Sequence, residues 1–243
     1  MTAKLRQLWQ EAFGDSEETL DSFSATGFSP DRCHYICDGD TPVSALYWFD
    51  CELSGYKLAY IYAVATLKTH RGQGLAKRLM TETHEILKEK GYAGAILVPG
   101  EKDLFAFYEK LGYRVATKVD HFSVVATDSP VVIREIYPAE YATFRRKYLP
   151  EGGVLQEGET LSYLSAYAKF YKGEDFLLSA TKEGETLLVH EILGNTNHCG
   201  NILCALSCKI GHFRAPGEGQ DFAMFLPFAA DCPIPRYFGL ALD

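Results

Sequence analysis

A short glycine loop carries the strongest chemical signal in the sequence. It reads Arg71-Gly72-Gln73-Gly74-Leu75-Ala76 and separates the apolar segment Val64-Ala65-Thr66 from a segment with a helical apolar stripe. Glycines permit backbone angles that aim successive N–H groups at one point, and a helix N-terminus adds partial positive charge. This order of residues favours binding of a diphosphate through backbone N–H groups, without a lysine.

Two common nucleotide loops do not fit this stretch. It contains no GxxxxGK[ST] loop and no GxGxxG pattern with an acidic residue about 20 positions later, so nucleotide hydrolysis is not expected. The remaining alternative is structural, because an isolated Gly-x-Gly pattern often forms only a tight turn between a strand and a helix.

A second pattern downstream favours the chemical interpretation. Phe107-Tyr108-Glu109-Lys110-Leu111-Gly112-Tyr113 resembles the Phe-Tyr-x-x-x-Gly-Phe/Tyr segment of the GCN5-related N-acetyltransferases (GNAT). Arg71-x-x-Gly74-x-Ala76 resembles the Arg/Gln-x-x-Gly-x-Gly/Ala signature of the same family. With Pro99-Gly100-Glu101, these stretches are most similar to the branch that contains the enhanced intracellular survival aminoglycoside acetyltransferases. The resemblance covers roughly residues 1–125 and is weak beyond them.

The resemblance implies transfer of an acetyl group from acetyl-coenzyme A to an amine by direct attack on the thioester, without a metal. By position, the coenzyme would contact Val64, Ala65, Thr66, Arg71, Gly72, Gln73, Gly74, Leu75 and Ala76. The strand residues among them would use their backbone to bind the pantetheine amides and the acetyl oxygen.

Tyr108 is implied as the general acid. A phenol with a pKa near 10 stays protonated at pH 7 and can donate its proton to the departing thiolate. The alternative for Tyr108 is ordinary packing of a helix on a sheet.

The general base stays open at this stage. Five side chains are candidates, and each equally suits a solvated loop or a helix cap: Glu52, His70, Glu101, Asp103 and His121. In the aminoglycoside-modifying relatives the chain terminus reaches the active site, which makes the terminal carboxylate of Asp243 a further candidate near the acceptor.

Aromatic side chains could receive a cationic amine through cation–π contacts. The predicted acceptor-binding residues are Phe28, Tyr47 and Tyr62, with Phe23 and Trp48 in the same group. Core packing is the alternative for each of them.

The segments around these residues predict an α/β GNAT fold, with a central mixed, mostly antiparallel sheet flanked by helices. Apolar residues recur at helical spacing in the predicted helices, at 3–13, 16–25, 74–90 and 104–111. Aromatic and β-branched residues are concentrated in the predicted strands, at 33–37, 42–49, 58–66, 93–98 and a pair between 113 and 126. We predict that residues 1–127 form the domain that binds acetyl-coenzyme A.

Residues 128–243 predict a second, smaller α/β half, either a degenerate GNAT-like domain or an accessory domain. Helices are expected at 137–148, 160–171 and 201–210, and strands at 176–180, 187–193, 222–226 and 237–242. This half contains no second Arg-x-x-Gly-x-Gly/Ala loop. We therefore expect this half to form one side of the acceptor site or to contact a second copy of the chain in a homodimer.

Amino-acid composition and net charge limit the classes of molecule that the chain is expected to bind. With 47% hydrophobic residues the chain can bury a core, and its net charge of −8 argues against nucleic acid and suits a small cationic acceptor. The sequence has no signal-peptide pattern and no run of about 18 apolar residues, so a cytoplasmic location away from membranes is expected.

The seven cysteines are an odd number and predict no disulfide framework. The densest group, between His198 and His212, lacks the CxxC pairs of structural zinc sites, which favours buried thiols. Two alternative functions remain: a non-catalytic sensor or scaffold that binds a coenzyme A thioester, and a metalloprotein that uses this group.

Overall fold

The computed structural model describes residues 1–242, and their contacts divide the chain into two compact units. The first unit contains Met1–Arg114 and takes two later segments, Gly158–Tyr163 and Met224–Pro233. The second contains Val115–Glu157, Leu164–Ala223 and the described residues from Ile234 onwards. The predicted border of the functional domains at residue 127 stays a prediction.

The elements up to the unit border follow the predicted order. They are α1 (Ala3–Phe13), α2 (Glu17–Thr26), β1 (Cys33–Asp38), β2 (Thr41–Leu53), β3 (Tyr56–Thr66), α3 (Leu75–Glu89), β4 (Gly94–Leu97), α4 (Lys102–Glu109) and β5 (Arg114–Val115). Helix ends agree with local chemistry: Thr2 and Ser16 accept hydrogen bonds from the first turns of α1 and α2, and Gly14 ends α1 in the left-handed conformation.

The later elements are more mixed. They are β6 (Lys118–Val125), β7 (Arg134–Ile136), α5 (Pro138–Tyr148), α6 (Glu159–Leu164), β8 (Lys169–Lys172), β9 (Phe176–Glu183), β10 (Thr186–Gly194), α7 (Cys199–Ala205), β11 (Ile210–Pro216), β12 (Gln220–Asp221) and β13 (Met224–Pro227). Among these residues, no helix has the length and apolar character needed to cross a membrane.

A six-stranded sheet forms the first unit, in the order β1-β2-β3-β4-β13-β5. The strands β1, β2 and β3 make an antiparallel meander, β4 adds in parallel to β3, and all of β4 is buried. The predicted mixed, mostly antiparallel sheet flanked by helices is confirmed. The strand predicted at 222–226 was expected in the second half, but β13 pairs with β4 from Met224↔Leu97 to Pro227↔Gly94. A local sequence pattern predicts a strand but does not identify the strand with which it pairs.

A seven-stranded sheet forms the second unit, in the order β12-β6-β11-β10-β9-β8-β7. Only β10 and β11 are parallel among its pairs described here. The second strand of the pair predicted between residues 113 and 126 was expected in the first sheet, but β6 pairs with β11 from Val119 to Val125. The second mixed α/β half is confirmed.

Three predicted elements of this half differ from the structure. The helix expected at 160–171 ends at Leu164, because Phe170 and Tyr171 are buried in β8 between two antiparallel partners. The helix expected at 201–210 ends at Ala205, and β11 begins at Ile210. Over the described part of 237–242 there is an isolated bridge, from Tyr237 to Gly153, rather than a strand.

A buried ion pair lies inside the second unit. Arg145 on α5 donates two hydrogen bonds to Glu191 on β10, at 2.7 and 2.9 Å, and both side chains are inaccessible to solvent. Tyr141 and Tyr237 donate to the same carboxylate. Burial alone would raise the pKa of Glu191, but the Arg145 charge and these hydrogen bonds hold it below its usual value.

Candidate functional site

Two parallel strands of the first unit separate at their carboxyl ends. Their pairing runs from Leu58↔Gly94 to Tyr60↔Ile96 and stops there, while β3 continues to Thr66 along β2. Ala63 has a positive φ of 52°, and the β2–β3 register shifts between Ala45 and Tyr47. The end of β3 therefore has an open edge whose backbone groups can pair with a ligand.

Side chains of the first unit hold this end of β3 in place. The indole Nε1 of Trp9 donates to the carbonyl of Ala63 at 2.9 Å, and the Ser44 hydroxyl donates to the carbonyl of Ala65 at 3.1 Å. Val64 and Thr66 are half-buried and Ala65 is buried. The predicted coenzyme-contacting strand residues thus lie on a fixed edge, with the side chain of Ala65 packed into the protein.

The glycine loop follows a short 3-10 helix at Lys68–His70. Gly72 and Gly74 both have φ of 77°, and a Cβ at either position would meet no atom within 4 Å. Gly74 is the N-cap of α3 and offers no side chain to the first turn. The first N–H groups of a helix have no partner within it, and Gly72 and Gly74 are exposed, so the start of α3 is accessible as an anion site requires.

Two side chains, one from the loop itself and one from α1, hold the loop and the turn before it. The guanidinium Nε of Arg71 donates to the carbonyl of Thr66 at 3.1 Å, so the signature arginine returns to the end of β3. Glu11 of α1 accepts the backbone N–H of Lys68 at 2.8 Å. The structure thus gives the Arg71 side chain a part in holding the loop.

Tyr108 lies on α4, which follows the carboxyl end of β4. Its side chain is 7% exposed, and burial raises the pKa of its hydroxyl to about 12. Its ring makes edge contacts with Phe107 and Tyr113, and the Tyr113 hydroxyl bonds to His84 Nε2 at 2.9 Å. No described residue forms a hydrogen bond with the Tyr108 hydroxyl, so that group is available as a proton donor.

The predicted acceptor-binding aromatics belong to a continuous cluster in the first unit. Phe28 and Tyr62 are half-buried, and Tyr47 is fully buried. The Tyr47 hydroxyl donates to the carbonyl of Gly27 at 2.7 Å and accepts the N–H of Ser29 at 3.0 Å. Tyr47 therefore orders the segment that carries Phe28, and its ring contacts Phe28 at a centroid distance of 5.6 Å.

Sequence reasoning missed two members of this region. Tyr163, on α6, packs on Phe23 at 5.0 Å and is stacked on Phe49 at 6.2 Å. Nothing in the local sequence could have placed it there, because it lies far along the chain. Asp15, between α1 and α2, is the second, and burial raises the pKa of its carboxyl. Burial and the Asp15 charge both raise the pKa of the Tyr163 hydroxyl.

The five candidate bases are dispersed. Glu101 and Asp103 lie at the start of α4, and Glu52 is exposed at the end of β2. His70 contacts Thr69 and Asp38 beside the glycine loop. His121 lies on β6 of the second unit. Asp243 lies outside the described residues.

Within residues 1–242, no group of three or more His, Cys, Asp or Glu side chains could hold a metal ion, and the seven cysteines are free thiols. His198 instead forms a pair with Asp175 at 3.3 Å. Burial raises the pKa of the Cys199 thiol to about 12.

Known proteins are similar to this chain in two respects. Residues 2–116 match the family described as acetyltransferase (GNAT) domain. No curated protein sequence matches the chain. Similar solved structures include a GCN5-related N-acetyltransferase from Kribbella flavida, with a TM-score of 0.71 at 18% identity, over 93% of this chain and 68% of that one.

Two further structures are similar over nearly the whole chain. Eis1 from Mycobacterium abscessus has a TM-score of 0.65 at 12% identity, over 93% of this chain and 72% of that one. A putative acetyltransferase from Pyrococcus horikoshii has a TM-score of 0.63 at 13% identity, over 98% and 89%. At these identities the similarity shows a shared fold, and it extends well past residue 116.

Proposed function

Residues 2–116 match the GNAT acetyltransferase domain, and we propose that this chain is an acyltransferase that moves an acetyl group from acetyl-coenzyme A to a primary amine. The acceptor is a small, cationic molecule, and its amine attacks the thioester directly. One observation carries the proposal: the open edge of β3 beyond Tyr60 lies in the chain directly before a loop whose two left-handed glycines face open space.

The first unit fits the coenzyme through backbone groups. The N–H groups of Gly72, Gly74, Leu75 and Ala76 would hold the diphosphate, and Arg71 keeps the loop attached to Thr66. The free edge at Val64–Thr66 would pair with the pantetheine amides and donate to the acetyl oxygen, where negative charge develops during attack. A Cβ at Gly72 or Gly74 would extend into the open space beside the loop, where the diphosphate is proposed to bind.

Tyr108 would supply a proton to the departing thiolate. Burial raises its pKa to about 12, so its hydroxyl carries a proton throughout the neutral range. A base must take a proton from the acceptor amine. Asp15 joins the candidates, because a carboxyl whose pKa is raised by burial is better matched to an amine than a fully solvated one.

The aromatic cluster and the charge of the chain support a cationic acceptor. The faces of Phe28 and Tyr62 attract an ammonium group, and the net charge of −8 attracts cations towards the protein. Polyamines and aminoglycosides have this chemistry.

Release of free thiol from acetyl-coenzyme A, measured across a panel of polyamines, aminoglycosides and neutral amines, tests the proposal. We expect turnover with at least one cationic amine and weaker turnover with neutral amines of similar size. Coenzyme binding in calorimetry without turnover on any amine would instead support a non-catalytic sensor. Absence of coenzyme binding would overturn both.

A further inference from the structure

His84 is a buried imidazole to which the proposed acetyl transfer assigns no role. It lies on α3, the helix whose start is proposed to hold the diphosphate, and its side chain is only 7% exposed. A buried polar side chain costs stability unless a hydrogen bond replaces the water that it loses. The partner of His84 therefore bears directly on its role.

The partner is the hydroxyl of Tyr113, which lies 2.9 Å from His84 Nε2. Tyr113 is completely buried and follows the end of α4, and its ring lies beside the imidazole at a centroid distance of 5.5 Å. The Phe228 ring contacts the same imidazole at 5.7 Å. The hydrogen bond therefore joins α3 to the end of α4 within the first unit.

Both partners of this hydrogen bond are neutral near pH 7. Burial, together with the positive charge of Lys88, lowers the pKa of His84 to about 4. Burial raises the pKa of the Tyr113 hydroxyl well above its usual value, with a smaller contribution from Tyr108. A neutral imidazole and a phenol can form the bond with either group as the donor, so it is present throughout the neutral range.

Tyr113 in turn holds Tyr108, the proposed general acid. Its backbone N–H donates to the Tyr108 carbonyl at 3.2 Å, and its ring makes an edge contact with the Tyr108 ring at a centroid distance of 5.9 Å. No described residue forms a hydrogen bond with the Tyr108 hydroxyl, so the packing of its ring sets the direction of that hydroxyl. A general acid must lie within hydrogen-bond reach of the atom that it protonates, and small displacements cost much of the rate.

We propose that His84 is a positioning residue for Tyr108. By holding the Tyr113 hydroxyl, His84 fixes the ring against which Tyr108 packs. The orientation of the acid is thereby tied to α3, the helix that begins at the glycine loop. His84 acts through Tyr113 and does not itself donate a proton to the thiolate, and this inference rests on the acid role proposed for Tyr108.

Steady-state kinetics of variants at both ends of the bond test the proposal. Tyr113→Phe and His84→Leu each remove the bond, and each should lower kcat about three- to tenfold while the dissociation constant of coenzyme A changes by less than about twofold. His84→Gln, whose amide can replace Nε2 in the bond, should retain most of the turnover. Thr83→Val is the matched control and should leave kcat unchanged, because the buried Thr83 hydroxyl donates to the Leu79 carbonyl within α3.

The Tyr108→Phe background separates positioning from a general loss of structure. When the acid hydroxyl is absent its direction no longer matters, so Tyr113→Phe and His84→Leu should lower kcat no further. The double variant of His84→Leu with Tyr113→Phe should resemble either single variant, since both remove the same bond. An equal loss of kcat with and without the Tyr108 hydroxyl, or unchanged kcat in single variants that remain folded by circular dichroism, would overturn the proposal.

A measurement that needs no turnover keeps the positioning distinct from the proposed function. In protein containing isotope-labelled tyrosine, the Tyr108 ring resonances are assigned by NMR from their loss in Tyr108→Phe. They should shift or broaden in His84→Leu and Tyr113→Phe, and stay in place in His84→Gln and Thr83→Val. Unchanged Tyr108 resonances in His84→Leu would refute the positioning in a protein that acetylates amines normally. Acetylation of no amine would refute the proposed function, while these resonances still decide whether His84 orders Tyr108.

Discussion

The two units contain the same local order of secondary-structure elements, but they differ in the loop that follows the hairpin. In the first, an antiparallel hairpin, β2 and β3, is followed by a short 3-10 helix, α3 and the parallel strand β4. In the second, β9 and β10 are followed by a 3-10 helix at Thr196–His198, α7 and the parallel strand β11. In both, the parallel pairing stops partway and the hairpin register shifts by a bulge.

The loops after β3 and β10 decide what each arrangement can bind. Gly72 and Gly74 face open space ahead of α3. Gly194 also has a positive φ, but a Cβ there would overlap the carbonyl of Asp175. The carboxylate of Asp175 accepts a hydrogen bond from Asn195 at 2.8 Å and pairs with His198. Side chains of the second loop therefore already bind partners within the protein. Shared topology therefore does not imply a shared ligand.

The largest expected effect concerns the interior of the second unit. Arg145→Met leaves Glu191 buried without its counter-ion and should lower the free energy of unfolding by about 3–5 kcal/mol. Both tryptophans, Trp9 and Trp48, lie in the first unit, so their fluorescence reports that unit while far-ultraviolet circular dichroism reports both. In urea, the circular dichroism transition of this variant should occur at a lower concentration than its fluorescence transition.

Lys209→Ala is the control, because its pair with Glu185 is exposed and should contribute little. A change as large as that of Arg145→Met would contradict a special role for the buried pair. Coincident transitions of Arg145→Met by both probes would show that the two units unfold together.

Gly74→Ala should affect coenzyme binding most. Alanine in the left-handed region is strained by about 1–2 kcal/mol, and its methyl group enters the space proposed for the diphosphate. Gly91→Ala is the matched control, since Gly91 has φ of 78°, has no atom within 4 Å of an added Cβ, and follows the other end of α3. Both variants should lose similar stability, while only Gly74→Ala weakens coenzyme A binding in calorimetry, by about tenfold or more. Equal affinities would exclude the loop as the anion site.

Tyr108→Phe should lower turnover at least about tenfold with coenzyme affinity nearly unchanged, since only proton donation is removed. Because burial raises the Tyr108 pKa to about 12, the wild-type rate should not fall through ionisation of this group as pH rises to 10. Tyr92→Phe removes another buried hydroxyl, bonded to Trp48 and Asp50, and should lower stability with little change in turnover. Equal turnover of Tyr108→Phe and wild type in steady-state kinetics would reject the assignment.

The smallest effect is expected at Val64. Its contact with the coenzyme is proposed through the backbone, so Val64→Ala should change the coenzyme dissociation constant by no more than about twofold. Its stability, followed by tryptophan fluorescence, should fall modestly because a half-buried methyl pair is lost. A tenfold loss of affinity would mean that the side chain itself contacts the coenzyme.

Local elements of the first unit were predictable because their signals are local. Gly14, Gly72 and Gly74 lie where the backbone adopts the left-handed conformation that glycine favours. The apolar stripe of α3 is buried as its period predicts. The order of strand, glycine loop and helix therefore appears in the sequence itself. Partners distant along the chain left no such signal: β13 in the first sheet, β6 in the second, and Tyr163 in the aromatic cluster.

By itself, the sequence determined the match of residues 2–116 to the GNAT domain and the loop proposed for the coenzyme, because glycine conformation and helix polarity act over a few neighbouring residues. Only the tertiary structure decided which strands complete each sheet, which aromatics surround Tyr62, and that His121 of β6 lies opposite Arg214 of β11. Hydrogen bonding between strands and burial of side chains depend on pairs far apart in the chain, and no local pattern encodes such a pairing.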